Sequence, residues 1–362
     1  MAAPWYTTRE DVTSALDVKL TARNYRQVDR AIESGARSVE GLLHRTFRPV
    51  LATRYFDWPN EAQRGTRPWR LWLNQHEVIS VASLVAGGVT IPSSDYFLRN
   101  FDGEDQPPYT FIEIDLASSS AFASGDTHQR AIAATCLFGW RNDEEQVGDL
   151  TSNLDADVTD TATTTWTTPY IGVGDVLRID SERMIVTDKT MVDSTQNTGG
   201  ALTASAADVT VAVTDGTAFA VGMVLLIGSE RMLVVDKAGN NLTVKRAWDG
   251  TVLAAHSSNA DIYTLTGVEL ARAQLGTTLA AHTTGADVYR HLVPGLVREL
   301  NIAEAINTLQ QEGTGYARRS GLGEERGSGK ARNPIEASGR GLDDIREQAY
   351  AAFARKARVR AV

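Results

Sequence analysis

The sequence predicts an α+β protein: helices at both ends of the chain, a β-rich stretch between them, and two small all-β domains nested one inside the other. Three observations carry this. Apolar residues recur at three- and four-residue steps near both termini. Short β-prone runs broken by Gly and Pro fill 51–140. A long phrase is repeated between 173 and 237, and a second between 242 and 289.

At the N-terminus, Thr7 or Thr8 supplies a hydroxyl cap ahead of Glu10 and Asp11, and Val12 and Leu16 are spaced like one helix face. From Ala22, the residues Tyr25, Val28, Ile32, Val39, Leu42 and Leu43 share a face, with Arg23, Arg26, Asp29, Glu33 and Arg37 on the remainder, so a long amphipathic helix is expected. After Pro49 the texture becomes strand-like. The runs at 51–57, 69–73, 78–85, 95–99 and 110–116 are divided by Pro59, Gly65, Gly87-Gly88, Pro92 and Pro107-Pro108, and 129–140 reads as one more apolar strand.

Val173-Gly-Asp-Val-Leu-Arg-Ile-Asp-Ser-Glu-Arg-Met-Ile-Val-Thr-Asp-Lys189 returns as Val221-Gly-Met-Val-Leu-Leu-Ile-Gly-Ser-Glu-Arg-Met-Leu-Val-Val-Asp-Lys237. The phrase from Leu242 to His256, followed by Ala260-Asp-Ile-Tyr263, is echoed from Val268 to His282, followed by Ala286-Asp-Val-Tyr289. The order is first half, first half, second half, second half. Tandem duplication would alternate the halves, so an inner module at 201–264 is expected inside a loop of an outer copy built from 151–197 plus 266–289. A solenoid needs more units in series.

Beyond Pro294 the helical period returns through Leu296, Leu300, Ala303, Ile306 and Leu309. A glycine- and charge-rich stretch from Gly313 to Gly341 reads as a long loop. A last helix from Leu342 places Ile345, Ala349, Ala352 and Phe353 on one face, and Arg358 to Val362 has the alternation of a short strand. The division expected is 1–147, then an inserted β region at 148–292, then 293–362 completing the first unit.

Composition narrows the function. The chain of 362 residues has 42% hydrophobic and 22% charged residues, the balance of an ordinary globular protein, and no apolar run approaches the roughly 18 residues of a membrane helix. No membrane partner is expected, and the N-terminus lacks the regions of a signal peptide, so a soluble protein made in a cytoplasm is expected. The single cysteine, Cys136, has no partner for a disulfide or a cysteine-based zinc cluster and reads as a buried small hydrophobe. A net charge of −9 argues against a general nucleic-acid binder.

No catalytic pattern stands out. Arg326-Gly-Ser-Gly-Lys330 lacks the glycine spacing of a phosphate loop and has Ala331 where a magnesium-binding hydroxyl belongs. Ser181-Glu182-Arg183 and Ser229-Glu230-Arg231 suggest a β-turn with a cross-strand charge pair. His256 and His282 hold matching places in the repeats, which points to a shared turn or packing role. No enzyme activity, metal or cofactor is expected.

Two N-terminal helices, the phrases Val85-Ala-Gly-Gly-Val-Thr-Ile-Pro-Ser-Ser-Asp-Tyr-Phe-Leu98 and Pro107-Pro-Tyr-Thr-Phe-Ile, a strand ending in Phe138-Gly-Trp140 and C-terminal helices together resemble the head-to-tail adaptor (connector) family of tailed bacteriophages. The resemblance covers about 7–140 and 294–362. It implies a helical adaptor core with a β insertion and a virion structural protein of the head-tail neck. Such a protein forms a homo-oligomeric ring, commonly a dodecamer, between the portal protein and a downstream neck or tail-terminator protein, with passive contact to DNA in the channel. The region 141–293 departs from the compact members, although paired repeats of this kind resemble small β modules appended to phage structural proteins. For docking to the portal, the candidate residues are Ile345, Tyr350, Phe353, Arg355, Lys356, Arg358 and Arg360, because the basic end can meet an acidic surface and the alternating tail can add as a strand. The runner-up is a virion decoration or carbohydrate-binding β-module protein, with Trp166, Tyr170, Trp248 and Tyr263 as aromatic contacts.

Overall fold

The computed structural model describes residues 5–16, 22–59, 67–101, 105–156, 161–166, 171–313 and 341–355. Among these, four helices cluster together: α1 (Arg9–Leu16), α2 (Ala22–Leu43), α3 (Gly295–Gly313) and α4 (Leu342–Phe353). A reciprocal cap starts α1, in which the Asp11 amide donates to Thr8 Oγ1 and the Thr8 amide to Asp11 Oδ2, both at 3.1 Å. The apolar face of α2 buries Val28, Ile32, Val39 and Leu43 against Val297, Leu300 and Ala305 of α3, with Tyr6, Phe47 and Ala349 of α4 closing the core. The α2–α3 crossing is close because position 35 is glycine: a Cβ there would stand 2.6 Å from Asn301 Nδ2. Asn301, fully buried, donates to Ile32 O at 3.1 Å and accepts from the Tyr6 amide at 3.1 Å, tying the N-terminal segment to both helices.

Seven strands follow α2: β1 (Val50–Phe56), β2 (Arg70–Trp72), β3 (Val78–Ala86), β4 (Val89–Thr90), β5 (Tyr96–Arg99), β6 (Phe111–Ile114) and β7 (Ile132–Phe138). They form two antiparallel sheets, ordered β1-β7-β3-β4 and β2-β6-β5. Alternation along β7 turns Ile132, Ala134, Cys136 and Phe138 inward, and these pack with Leu71, Leu73, Leu84, Ile112 and Ile114 in a core of their own.

The remaining strands are β8 (Glu144–Leu150), β9 (Thr161–Trp166), β10 (Val176–Ile179), β11 (Glu182–Asn197), β12 (Thr210–Ala212), β13 (Val224–Ile227), β14 (Glu230–Ala238), β15 (Asn241–Lys245), β16 (Asp261–Gln274) and β17 (Asp287–His291). Their pairings close two barrels. The outer runs β8-β9-β16-β11-β10-β17 and back to β8. The inner runs from the far end of β11 through β12, β15, β14, β13 and the start of β16 back to β11, with the Thr198–Val213 bridge making the join to β12. The long strands β11 and β16 belong to both barrels, and closure leaves neither with an open edge. Separate cores fill them, around Leu177, Ile179, Met184 and Val268 in the outer and Leu225, Ile227, Met232 and Ile262 in the inner. In the inner barrel, β14 and β15 meet in a tight hairpin at Gly239-Asn240, and the matching place in the outer barrel holds the whole inner barrel. Strand β8, which straddles position 147, is a member of the outer barrel.

The helical adaptor core with a β insertion is therefore corrected. About 38% of the described residues are strand against 23% helix, and the protein is mainly β. The helical core was what the adaptor resemblance implied, and the helices at the two chain ends are outweighed by the strands that fill the described residues between them. The helices enclose two of the five buried apolar clusters of the described residues, while the strands of 50–138 and the two barrels bury the other three. The expected loop at 313–341 and the strand at 358–362 lie almost wholly outside the described residues.

Candidate functional site

The repeated phrase places one acid, Glu182 in the outer barrel and Glu230 in the inner, at a buried position directly after a two-residue turn. Both side chains are 0% exposed. Glu230 accepts from Arg246 Nε (2.7 Å) and a terminal Arg246 nitrogen (2.8 Å), from the amides of Ala247 (2.9 Å) and Ala254 (3.0 Å), and lies 2.9 Å from His256 Nε2. Glu182 repeats the set with Arg272 (2.9 and 2.8 Å), Ala273 (2.8 Å), Ala280 (3.0 Å) and His282 Nε2 (3.0 Å). The peripheral bonds are duplicated too. The Arg183 and Arg231 amides donate to Thr277 and Thr251 hydroxyls, and Lys189 and Lys237 donate to the carbonyls of Ile171 and Phe219, both at 2.8 Å.

Burial pushes these carboxyls upward, but the arginine fork, the two amides and the histidine outweigh it and hold both at about 2. The cluster fastens the second half of each module to the first, and every strong donor around the acid is already engaged. The partner of each acid is thus the arginine of the other half-phrase, not the adjacent Arg183 or Arg231. Arg183 instead donates to Asn142 at 2.9 Å, and Arg231 lies 3.3 Å from Asp249. One difference separates the copies: His282 Nδ1 also faces Asp180 Oδ2 at 2.7 Å, whereas the matching residue in the inner copy is Gly228. Both turn residues have positive φ, 50° and 58°. Among the described residues no group of three or more His, Cys, Asp or Glu is placed to hold a metal ion.

The candidate docking residues divide. Ile345 and Phe353 turn into the helical core, where the Phe353 ring meets Phe47 and Trp140 edge-on at 5.9 Å. Tyr350 is exposed. The Arg355 amide donates to Leu43 O at 3.0 Å, and its side chain reaches Asn74 O and the vicinity of Glu77. Lys356, Arg358 and Arg360 lie outside the described residues, as do Tyr170 and the side chain of Trp166. Trp248 is covered by the Lys245 ammonium, 4.8 Å from the ring centroid, and Tyr263 stands at the inner barrel's surface.

Exposed apolar residues, which no spacing rule singled out, are spread along the two small sheets: Tyr55 on the edge strand β1, Val89 on the opposite edge β4, Phe97 on β5, and Phe101 and Leu116 just beyond β5 and β6. Phe101 stacks on Trp72 at 5.3 Å, Arg99 lies over Phe97 at 5.2 Å, and among the described residues β5 pairs on one side only, with β6. No protein-family model, curated protein or solved structure matches the chain.

Proposed function

We propose that the chain is a structural, non-catalytic protein of a tailed-phage virion, forming a ring that joins the portal vertex of the head to the neck or tail. The observation that supports this most is the exposed pair Phe97 and Phe101 on and just after the edge strand β5, which a partner subunit would cover. The sequence resemblance supports it independently. In a closed ring each copy meets the next through two different patches. The sheet surface is one such patch, and Tyr350 on α4 offers a contact toward the portal. In the barrels, the buried acids Glu182 and Glu230 are each held by an arginine of the same module.

Electron microscopy of the full-length chain with and without its portal ring tests the reading, with Phe97→Asp and Tyr350→Asp beside the wild type. Rings seated on the portal, lost in the variants while their thermal unfolding is unchanged, are the expected result. Monomers under every condition, or variants that assemble like the wild type, would refute it.

A further inference from the structure

A polar groove of about 600 Å³ lies where the end of α2, strands β1 and β7, the turn before β3 and the residues after α4 meet. Three arginines line it, Arg45, Arg54 and Arg355, with two acids, Glu40 and Glu77. Both acids are already engaged. Glu77 is held by the Arg45 fork at 2.7 and 2.8 Å, with Arg355 Nε at 3.9 Å. Glu40 accepts from Arg48 at 2.7 Å, Arg37 at 2.9 Å and the Tyr6 hydroxyl at 2.8 Å.

Arg54 is left over. Its guanidinium lies on the Phe138 ring at 4.8 Å, its nearest polar neighbour is His76 Nε2 at 3.4 Å, its Nε is buried without a hydrogen-bond partner, and no carboxylate of the described residues is within ion-pairing distance. A half-buried guanidinium in that position has its Nε covered and no carboxylate of the described residues to pair with. His76 reports the same local field. Burial first, then Arg54 and Arg355, push its imidazole down to about 4. On a chain of net charge −9 this groove is a local positive site.

We propose that the groove binds a carboxylate of an acidic peptide segment from a partner protein, held by Arg54 and Arg355 over the floor made by Phe138 and Val50. A planar guanidinium fork matches a carboxylate, and the apolar floor suits the methylenes of an acidic side chain. Glu40 and Glu77 in the same groove oppose the successive phosphates of a nucleic-acid backbone, which favours a single peptide carboxylate. The assignment stands on the groove alone and does not depend on the virion reading.

The test is an NMR titration of His76 in the full-length protein at low salt with an acetylated and amidated tripeptide that carries one glutamate, run in parallel with inorganic phosphate and a short DNA duplex, on wild type and Arg54→Gln. Expected is saturable peptide binding that moves the His76 titration from about 4 toward its ordinary 6.5. Arg54→Gln is expected to weaken that binding by about tenfold or more, the loss of a charge-assisted hydrogen bond. Fluorescence anisotropy with labelled peptide gives the affinity independently of His76. No peptide-dependent change, equal binding by Arg54→Gln, or tighter binding of phosphate or duplex than of peptide would each overturn the proposal.

Discussion

Replacing Glu230 by Gln tests the buried clusters most directly. The folded carboxyl sits at about 2 against an ordinary 4.5, so at neutral pH the ionised form stabilises the fold by about 3 kcal/mol, taking 1.36 kcal/mol per tenfold. The carboxylate has no exposed surface of its own, but it lies directly after a turn at the barrel end, where solvent screening lowers the figure, so about 3 kcal/mol is its upper bound. Removing one partner of a buried pair typically costs about 3–5 kcal/mol, which agrees. Gln keeps one acceptor but turns an NH2 group toward donors, either the Arg246 fork or the Ala254 amide, and strands a guanidinium that is 2% exposed. Native-state hydrogen exchange on the full-length chain reads the loss locally. Amides of β13 to β15 should exchange on the order of 100-fold faster, while those of β7 should not change. A companion Arg246→Met, alone and combined, completes a cycle in which the double variant recovers part of the loss, with coupling of about 2 kcal/mol or more. A change below about 1 kcal/mol in Glu230→Gln, or strict additivity in the cycle, would refute the reasoning.

Acid stability carries a defined sign: both depressed carboxyls contribute fully above about 4.5 and lose that contribution as pH falls toward about 2, so the barrels should unfold in that window, as followed by circular dichroism. Asp175 behaves oppositely, because burial above all raises it to about 6 despite Arg290 and the Gly172 amide. Its ionisation therefore costs stability as pH rises from about 3.8 to about 6. Asp175→Asn should melt higher than wild type at pH 8, with the gain vanishing near pH 4, and equal melting at both pH values would contradict this. Cys136 is fully buried in β7 and burial pushes its thiol up to about 12, so a thiol reagent at pH 8 should modify it only at the rate at which the β1–β7–β3 sheet opens. Modification at the rate of a free thiol would show that core to be open.

Much of the local structure is legible from residue order. The face shared by Val28, Ile32 and Val39 sets α2, alternation from Ile132 to Phe138 sets β7, and the four repeated half-phrases in the order first, first, second, second match one barrel carried within a hairpin of its copy. Those signals are short-range periodicities or direct repetition, which a linear reading can detect. Less legible is the chemistry of Glu182 and Glu230. The motif draws attention to Arg183 and Arg231, one residue away, whereas the partners that matter stand 90 residues on in the outer barrel and 16 on in the inner. The equivalence of Arg246 and Arg272 in the repeats was a signal available to find them, since a duplicated buried acid needs a duplicated cation.

The balance of helix and strand, the closure of both barrels and the groove around Arg54 belong to the tertiary structure alone. Each depends on which surfaces meet. Asn301 bridges α2 only because Gly35 admits it, the outer barrel closes only because β16 returns to β11 after the inner barrel has been completed, and Arg54 faces Phe138 and His76 while Glu77 is held by Arg45. The sequence by itself determined the terminal helices, most of the strand runs and the duplication. Three-dimensional packing decided which residues would share a carboxylate and which would be left without one, because burial energies and ion pairing are settled between residues far apart in the chain.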